Sequence, residues 1–272
     1  EYAKIEEQEE EIEEKVQEAD VVLVGISTPP SEDEIRAASL ANALKRPYGF
    51  FSDTYGSWKR MDVSAFRTGA NFLFVVDADE AAKAASSYTK ARIVIGNPEW
   101  EEFFYPRFTK KEVREKFKIG DDENLIVCAG GMNALSNIIL FGSVIQILHT
   151  GTFLKPKVFL CPHPKDEDVH RYRKLAHASM IPAVLITNMP TSTSDLLPGA
   201  DLVITPGSTI GIEACHLRVP VIEFYTYLGS NALVGYDGSR FSLNWKPARQ
   251  GAIACSIGNT NELKHLISQV LR

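Results

Sequence analysis

A short segment combines small residues with one carboxylate directly after the apolar stretch 202–205. Gly207, Ser208 and Thr209 lead into helix-forming residues, a pattern typical of a strand, a turn and a helix start. A helix start presents free N–H groups and the positive end of the helix dipole, so this turn could hold a phosphate. Glu213 shares a helix face with Thr209 and could accept hydrogen bonds from sugar hydroxyls.

Ordinary helix capping is the alternative for this segment, with Ser208 or Thr209 as the cap and Glu213 in solvent. A capping box places Glu or Gln three residues after the cap. Those positions hold Gly211 and Ile212, so Glu213 has no capping role. The functional interpretation is therefore favoured.

Two further candidates follow apolar stretches of strand length. His163 stands between Pro162 and Pro164, which hold it outside any helix, although a structural or exposed histidine is the alternative. Gly130 and Gly131 fit a backbone that approaches a ligand, and a tight turn is the alternative. In a parallel sheet such strand ends meet at one edge, where ligands bind.

In the first half of the chain, Asp53 follows the apolar stretch 48–52. Arg60 lies in the loop after it and is a candidate substrate- or nucleotide-binding residue. Asp53 is the one carboxylate of this half at a clear strand end. It is therefore our candidate general base. A turn-forming role, in which its side chain bonds to nearby backbone, is the alternative.

Apolar stretches of strand length alternate with helical patterns from residue 20 onwards. The predicted strands are 21–26, 48–52, 71–76, 92–95, 125–129, 158–161, 183–187, 202–205, 221–225 and 252–256. The main predicted helices are 32–44, 110–118, 134–149, 165–177, 210–217 and 261–271. This alternation indicates an α/β fold with mostly parallel sheets.

The tripeptide Gly96-Asn97-Pro98 indicates a hinge between two Rossmann-like, doubly wound domains. The proline disfavours helix at the residue before it, and the glycine permits unusual dihedral angles. We predict an acidic helix at 1–19, a short first domain at 20–95 and a nucleotide-binding second domain at 96–272. The ligand site is expected where the two sheets meet.

Charge is concentrated at one end of the chain. Residues 1–20 contain ten acidic and two basic side chains, a formal charge of −8, whereas the whole 272-residue chain carries −6. The remainder is therefore close to neutral, at +2. Without a clustered basic patch, we expect no nucleic-acid partner.

The four cysteines form no C-x-x-C pair, which favours buried thiols in a reducing compartment. There is no signal peptide and no apolar run of the about 18 residues that a membrane span needs, so we expect a cytoplasmic protein. No residue set has metal-site spacing, and we expect no cofactor. The motifs of P-loop ATPases, dinucleotide dehydrogenases, α/β-hydrolases and zinc proteases are absent. The sequence leaves open whether the chain forms a homo-oligomer.

The candidate site segments and the hinge tripeptide resemble those of the GT-B superfamily of nucleotide-sugar enzymes, and the resemblance is strongest over residues 96–227. Gly96-Asn97-Pro98 is similar to the tripeptide that opens their second domain. Pro162-His163-Pro164 resembles the histidine motif of the UDP-N-acetylglucosamine 2-epimerases and of the polyol-phosphate transferases of wall polymers. Segment 200–222 resembles their donor-binding segment.

The resemblance implies a nucleotide-sugar donor, most simply of UDP type. It implies that Ser208, Thr209 and Glu213 hold the nucleotide, with the glutamate at the ribose. It also implies that His163 lies near the phosphate or the reacting sugar.

The first half departs from the epimerase pattern. Where epimerases have Gly-Asp-Thr after a strand, this chain reads Gly25-Ile26-Ser27-Thr28, and Asp53 and Arg60 stand where they have Glu-Ala-Gly-Leu-Arg. The first domain is also short for the family. Either upstream strands are missing, or the chain is a shortened relative that has lost an acceptor site.

Glycosyl transfer from a nucleotide-activated sugar is the function we favour. Asp53 would activate an acceptor hydroxyl, and His163 would stabilise the leaving diphosphate. A sugar-nucleotide 2-epimerase is one alternative. A non-catalytic nucleotide-sugar or polysaccharide-assembly protein with a degenerate first domain is another. The sequence identifies neither the acceptor nor the sugar.

Overall fold

The computed structural model describes residues 11–26, 31–59, 69–88, 90–131, 133–187, 192–226 and 250–271. Within these ranges the chain forms two sheets, and every described strand pairing is parallel, as the sequence predicts. The chain divides into two compact units between Glu99 and Trp100. Of the predicted acidic helix, residues 11–18 are helical and the first ten lie outside the described ranges.

The first unit contains a four-stranded sheet and two described helices after its strands. The strands are β1 (Val22–Val24), β2 (Tyr48–Phe51), β3 (Phe72–Val75) and β4 (Ala91–Val94), in the order β1-β2-β3-β4. The helices are α1 (Glu32–Ala43) and α2 (Ala78–Lys83). Both helix starts are capped, because the Ser31 and Asp77 side chains each accept a hydrogen bond from the amide three residues later.

The two faces of this first sheet differ. Strands that pair in chain order place their right-handed crossovers on one face. That face is buried and carries Val24, Phe50, Leu73 and Val75. The opposite face carries Leu23, Phe51, Phe72, Phe74 and Ile93. Leu23 is 54% exposed and Ile93 is 41% exposed, so apolar side chains on this face remain partly open to solvent.

The second unit contains a six-stranded sheet. Its strands are β5 (Asn124–Ala129), β6 (Pro156–Cys161), β7 (Ala183–Leu185), β8 (Leu202–Thr205), β9 (Val221–Tyr225) and β10 (Ile253–Ile257). Its helices are α3 (Lys110–Lys116), α4 (Ala134–Thr150), α5 (Val169–Ala178), α6 (Thr193–Leu196), α7 (Thr209–His216) and α8 (Thr260–Val270). The strand order is β10-β9-β8-β5-β6-β7, which is the doubly wound order, with its reversal between β5 and β8.

Helix α4 forms much of the core of the second unit. Its buried side chains include Leu140, Phe141, Val144, Ile145 and Leu148. They pack in one cluster with apolar side chains of the central strands. Among the helices that the structure describes, none has both the length and the apolar character needed to cross a bilayer.

All ten predicted strands are present, with ends that differ by at most two residues. The predicted start of the helix at 165 is wrong, because α5 begins at Val169. The Asp166 amide donates to the His163 carbonyl, and the Asp168 amide donates to the Asp166 side chain. These bonds form a turn in place of the first helical turn.

Candidate functional site

Three predicted site segments lie at one edge of the second sheet. Gly131 follows β5, His163 follows β6 and Gly207 follows β8. These strands are neighbours in the order β8-β5-β6, so their carboxyl ends are adjacent. The strand order reverses between β5 and β8. This position is the topological switch point, where doubly wound sheets bind ligands.

Residues 206–209, which we term the β8 loop, join β8 to α7. Gly207 has a φ of +85°, a left-handed conformation that favours glycine. Ser208 is the N-cap of α7, and its hydroxyl accepts from the Ile210 amide at 3.4 Å. The Ser208 amide donates to Thr205 Oγ1 at 3.3 Å. The predicted strand, turn and helix start are present, and Ser208 caps the helix as the capping alternative requires. Thr209 is exposed at the first turn.

Glu213 lies one turn into α7 and is half-buried. Its Oε2 accepts a hydrogen bond of 2.8 Å from Ser194 Oγ on α6. The carboxylate is therefore oriented by the protein, and the alternative of a glutamate in open solvent does not describe it. Sequence reasoning missed Ser194, although the capping box from Ser192 to Asp195 marks its helix.

Gly130 and Gly131 follow β5 and pack against the side chain of Asn137 on α4. The Gly131 amide donates to Asn137 Oδ1 at 2.8 Å, and Asn137 Nδ2 donates to the Gly131 carbonyl at 2.8 Å. A Cβ on Gly130 would lie 2.9 Å from Asn137 Cγ, and one on Gly131 would lie 3.2 Å from Pro206 Cγ. Close packing across the switch point therefore accounts for both glycines.

A buried carboxylate connects residues 130–131, which we term the Gly130 turn, to the loop that carries His163. Asp166 is 8% exposed, and its Oδ2 accepts from Asn137 Nδ2 at 2.8 Å. The Tyr172 hydroxyl donates to the same oxygen. Burial raises the pKa of Asp166, but the hydrogen bonds from Tyr172, the Asp168 amide and Asn137 outweigh it, so the pKa lies below its ordinary value.

His163 is half-buried at the carboxyl end of β6. Burial lowers its pKa, the charge of Lys165 adds to that effect, and Asp166 opposes it without reversing it. The lowered pKa favours the neutral ring at pH 7. Nδ1 accepts from the Lys165 amide at 3.1 Å, so the proton of the neutral ring is on Nε2. His163 thus offers a neutral N–H donor.

Replacing Asp166 with asparagine is expected to lower the free energy of unfolding at pH 7 by about 1–2 kcal/mol, because charge-assisted hydrogen bonds are lost. The folded pKa of Asp166 is lowered. Its contribution is therefore complete above the unfolded value of about 3.9 and is lost as the pH falls through the folded value. Urea titrations at several pH values should show the two proteins converging below about pH 4.

Asp168→Asn is the matched control for this experiment. Asp168 caps α5 without a side-chain cap bond and forms an ion pair with the exposed Arg171. Asp168→Asn should lower the free energy of unfolding by less than about 1 kcal/mol. A difference between wild type and Asp166→Asn that stays constant with pH would contradict a role for the ionised carboxylate.

Asp53 lies in the loop after β2 of the first unit and is half-buried. Its carbonyl oxygen accepts from Asn97 Nδ2 at 2.9 Å, and Asn97 Oδ1 accepts from the Glu99 amide at 2.9 Å. Gly96, before it, has a φ of +75°. The predicted hinge tripeptide is therefore bonded to the loop that carries Asp53. Arg60 lies outside the described residues.

A second buried carboxylate holds the Asp53 loop. Glu80 on α2 is 2% exposed and accepts from Trp58 Nε1 at 2.9 Å and from the Gly56 amide at 2.7 Å. Lys83 Nζ lies 2.7 Å from its other oxygen. Sequence reasoning missed this anchor because α2 is too short to be predicted. Among the described residues, no group of three or more His, Cys, Asp or Glu side chains could hold a metal ion.

No protein-family model matches the sequence. A curated relative is the UDP-N-acetylglucosamine--N-acetylmuramyl-(pentapeptide) pyrophosphoryl-undecaprenol N-acetylglucosamine transferase of Carboxydothermus hydrogenoformans, at 30% identity over 176 residues. The match covers 62% of this chain and 44% of the relative. The chain therefore spans less than half of that protein's length.

Solved structures resemble almost the whole chain. UDP-GlcNAc 2-epimerase from Neisseria meningitidis, bound to UDP-GlcNAc, has a TM-score of 0.68 at 15% identity over 96% of this chain and 71% of that one. UDP-GlcNAc 2-epimerase from Methanocaldococcus jannaschii, in complex with UDP-GlcNAc and UDP, has a TM-score of 0.65 at 17% identity, over 97% of this chain and 73% of that one. Sucrose-phosphate synthase from Thermosynechococcus elongatus has a TM-score of 0.57 at 13% identity, over 93% of this chain and 64% of that one.

The chain has the GT-B fold. The resemblance drawn from the sequence motifs is thereby confirmed at the level of the fold. In this GT-B chain the β8 loop, the Gly130 turn and His163 all lie along the carboxyl edge of the second sheet. Asn137 and Asp166 tie two of these segments to each other, and no local motif marks either residue.

Proposed function

We propose that the protein is a glycosyltransferase whose donor is a nucleotide-activated sugar of UDP type. The proposal is carried by the arrangement at the switch point, where the β8 loop opens α7 and Glu213 lies one turn further on. A helix start suits a diphosphate, and a carboxylate suits the ribose hydroxyls. A curated relative named as an N-acetylglucosamine transferase and structural relatives bound to UDP-GlcNAc support the same donor class.

In the proposed reaction an acceptor hydroxyl oxygen bonds to the anomeric carbon as the bond from that carbon to the diphosphate oxygen breaks. The electrons of the broken bond stay with UDP. The hydroxyl proton passes to a general base, for which Asp53 is the candidate. Neutral His163 would donate its Nε2–H to the charge that develops on the diphosphate, and the α7 dipole favours the same charge.

Replacing Glu213 with alanine is expected to weaken UDP binding by roughly 10- to 100-fold, because hydrogen bonds to a charged group are lost. Isothermal titration with UDP, CDP, GDP and ADP would measure the loss and name the base. The stability of the apo protein should change little, since Glu213 is only half-buried.

Glu262→Ala is the matched control for Glu213→Ala. Glu262 is also a helix glutamate of the second unit, and it accepts a hydrogen bond from a serine hydroxyl, that of Ser256, at 3.0 Å. Its replacement should leave UDP affinity unchanged. Equal affinity of wild type and Glu213→Ala for every nucleotide would remove Glu213 from the proposed site.

Epimerisation is the second candidate, because several structural relatives are UDP-GlcNAc 2-epimerases. Incubation of the protein with UDP-GlcNAc, followed by NMR, separates the two functions. Release of UDP in the presence of an acceptor supports transfer, whereas appearance of the manno isomer supports epimerisation. Nucleotide binding without any turnover would favour the non-catalytic alternative.

A further inference from the structure

One face of β9 carries Val221, Glu223 and Tyr225 beneath α7, since alternate residues of a strand share a face. A Cβ built on Gly211 of α7 would lie 3.4 Å from Val221 Cγ1, which places α7 on this face. Glu223 is fully buried and pairs in register with Thr205 of β8. Its carboxyl group therefore lies inside the second unit, under the helix that the β8 loop opens.

Tyr225 links this carboxyl group to the β8 loop. Its side chain is 3% exposed, and its hydroxyl donates to Glu223 Oε2 at 2.6 Å. A Cβ built on Gly207 would lie 2.6 Å from Tyr225 Oη. The hydroxyl therefore lies against the backbone of Gly207 on one side and bonds to Glu223 on the other.

Two thiols lie near Glu223. Cys255 Sγ donates to Glu223 Oε2 at 3.7 Å. Burial raises the pKa of Cys255 to about 12 and that of Cys215 on α7 to about 11, and the charge of Glu223 adds to both increases. Both thiols are thus protonated at neutral pH. Both the Tyr225 hydroxyl and the Cys255 thiol donate to Oε2, and the bond from the hydroxyl is much the shorter, at 2.6 Å against 3.7 Å.

We propose that Tyr225, oriented by Glu223, is a positioning residue for the diphosphate of the bound nucleotide. Its hydroxyl limits how far the backbone of Gly207 can move toward the sheet. The first amides of α7 then keep one direction before the ligand arrives, which lowers the entropy lost on binding. The inference rests on the proposed function, because a nucleotide is the ligand that these amides would hold.

The test measures two quantities for wild type and each variant. One is UDP affinity by isothermal titration, and the other is amide hydrogen exchange at residues 208–210 of the ligand-free protein. Tyr225→Phe keeps the ring and loses the hydroxyl. It is expected to weaken UDP binding about tenfold and to speed exchange at these amides. Glu223→Gln keeps an oxygen that can accept a hydrogen bond from the Tyr225 hydroxyl, so its UDP affinity should stay within about threefold of the wild-type value. Glu223→Leu has no such oxygen, and its UDP affinity and amide exchange should match those of Tyr225→Phe.

Cys255→Ala is the control, because it removes the thiol that donates to Glu223 Oε2 and leaves the Tyr225 hydroxyl in place. It should bind UDP as wild type does. Wild-type affinity and exchange in Tyr225→Phe would overturn the proposal, as would an equal loss of affinity in Cys255→Ala. Absence of UDP binding by wild type would refute the proposed function, whereas exchange at 208–210 still reports whether Tyr225 holds the loop.

Discussion

Replacing Arg114 with methionine is expected to lower the free energy of unfolding by about 3–5 kcal/mol, because it breaks a buried charged network. Arg114 on α3 is 7% exposed and donates to Asp201 Oδ2 at 3.0 Å. Its guanidinium also donates to the carbonyls of Gly120, Glu123 and Gly199. Asp201 in turn accepts from the Leu125 amide at 2.8 Å, so the network joins the starts of β5 and β8. Methionine keeps the apolar stem but removes the guanidinium, and with it every bond that Arg114 donates to these acceptors.

Denaturant titration at pH 7 would measure this loss. Lys110→Ala is the matched control, because Lys110 bonds to the same Asp201 carboxylate at 2.8 Å but is 59% exposed. An exposed ion pair contributes about 1 kcal/mol or less. If Arg114→Met lost no more stability than Lys110→Ala, the network would not be what holds the starts of β5 and β8 together.

Replacing Gly207 with alanine should lower the free energy of unfolding by about 2–4 kcal/mol, from two separate causes. Its φ of +85° is strained for any residue with a side chain. The new Cβ would also lie 2.6 Å from Tyr225 Oη, well inside van der Waals contact. Because the loop must shift to relieve this overlap, the folded variant should also bind UDP more weakly than Tyr225→Phe does.

Gly251→Ala separates these two causes. Gly251 has a φ of +73°, but a Cβ there would meet nothing within 4 Å. Its replacement should therefore show the dihedral cost alone, about 1 kcal/mol. The double variant Gly207→Ala, Tyr225→Phe should recover the part due to overlap. Equal losses for Gly207→Ala and Gly251→Ala would show that Tyr225 exerts no steric constraint on the loop.

Strand positions are predictable here because a strand buried on both faces is a near-continuous apolar run. The observed strands Leu202–Thr205 and Val221–Tyr225 have the same bounds as the predicted ones. The helices α2 and α6 are not predicted, because stretches of six and four residues are too short to show helical periodicity. Their caps are the available local signal. Strand order is not predictable from periodicity at all.

The candidate site is predictable where one segment supplies it. Gly207 and Glu213 lie in a single strand, turn and helix, so their spacing alone relates them. The bond between Asn137 and Asp166 joins residues 29 positions apart, and neither residue type indicates its partner. Periodicity reports that a position is buried and does not report which side chain faces it. The catalytic roles of Asp53 and His163 remain predictions.

The strand order of the second unit also has a consequence for how that unit folds. The pairing of β5 with β8 joins segments 76 positions apart, as the bond from the Leu125 amide to Asp201 shows. The other described pairings in this sheet close shorter loops. Loop-closure entropy delays the longest closure, so β5–β7 and β8–β10 are expected to assemble separately before they join. The crevice between the β8 loop and the Gly130 turn would then be the last part of the unit to form. Partly folded chains would then lack the proposed nucleotide site.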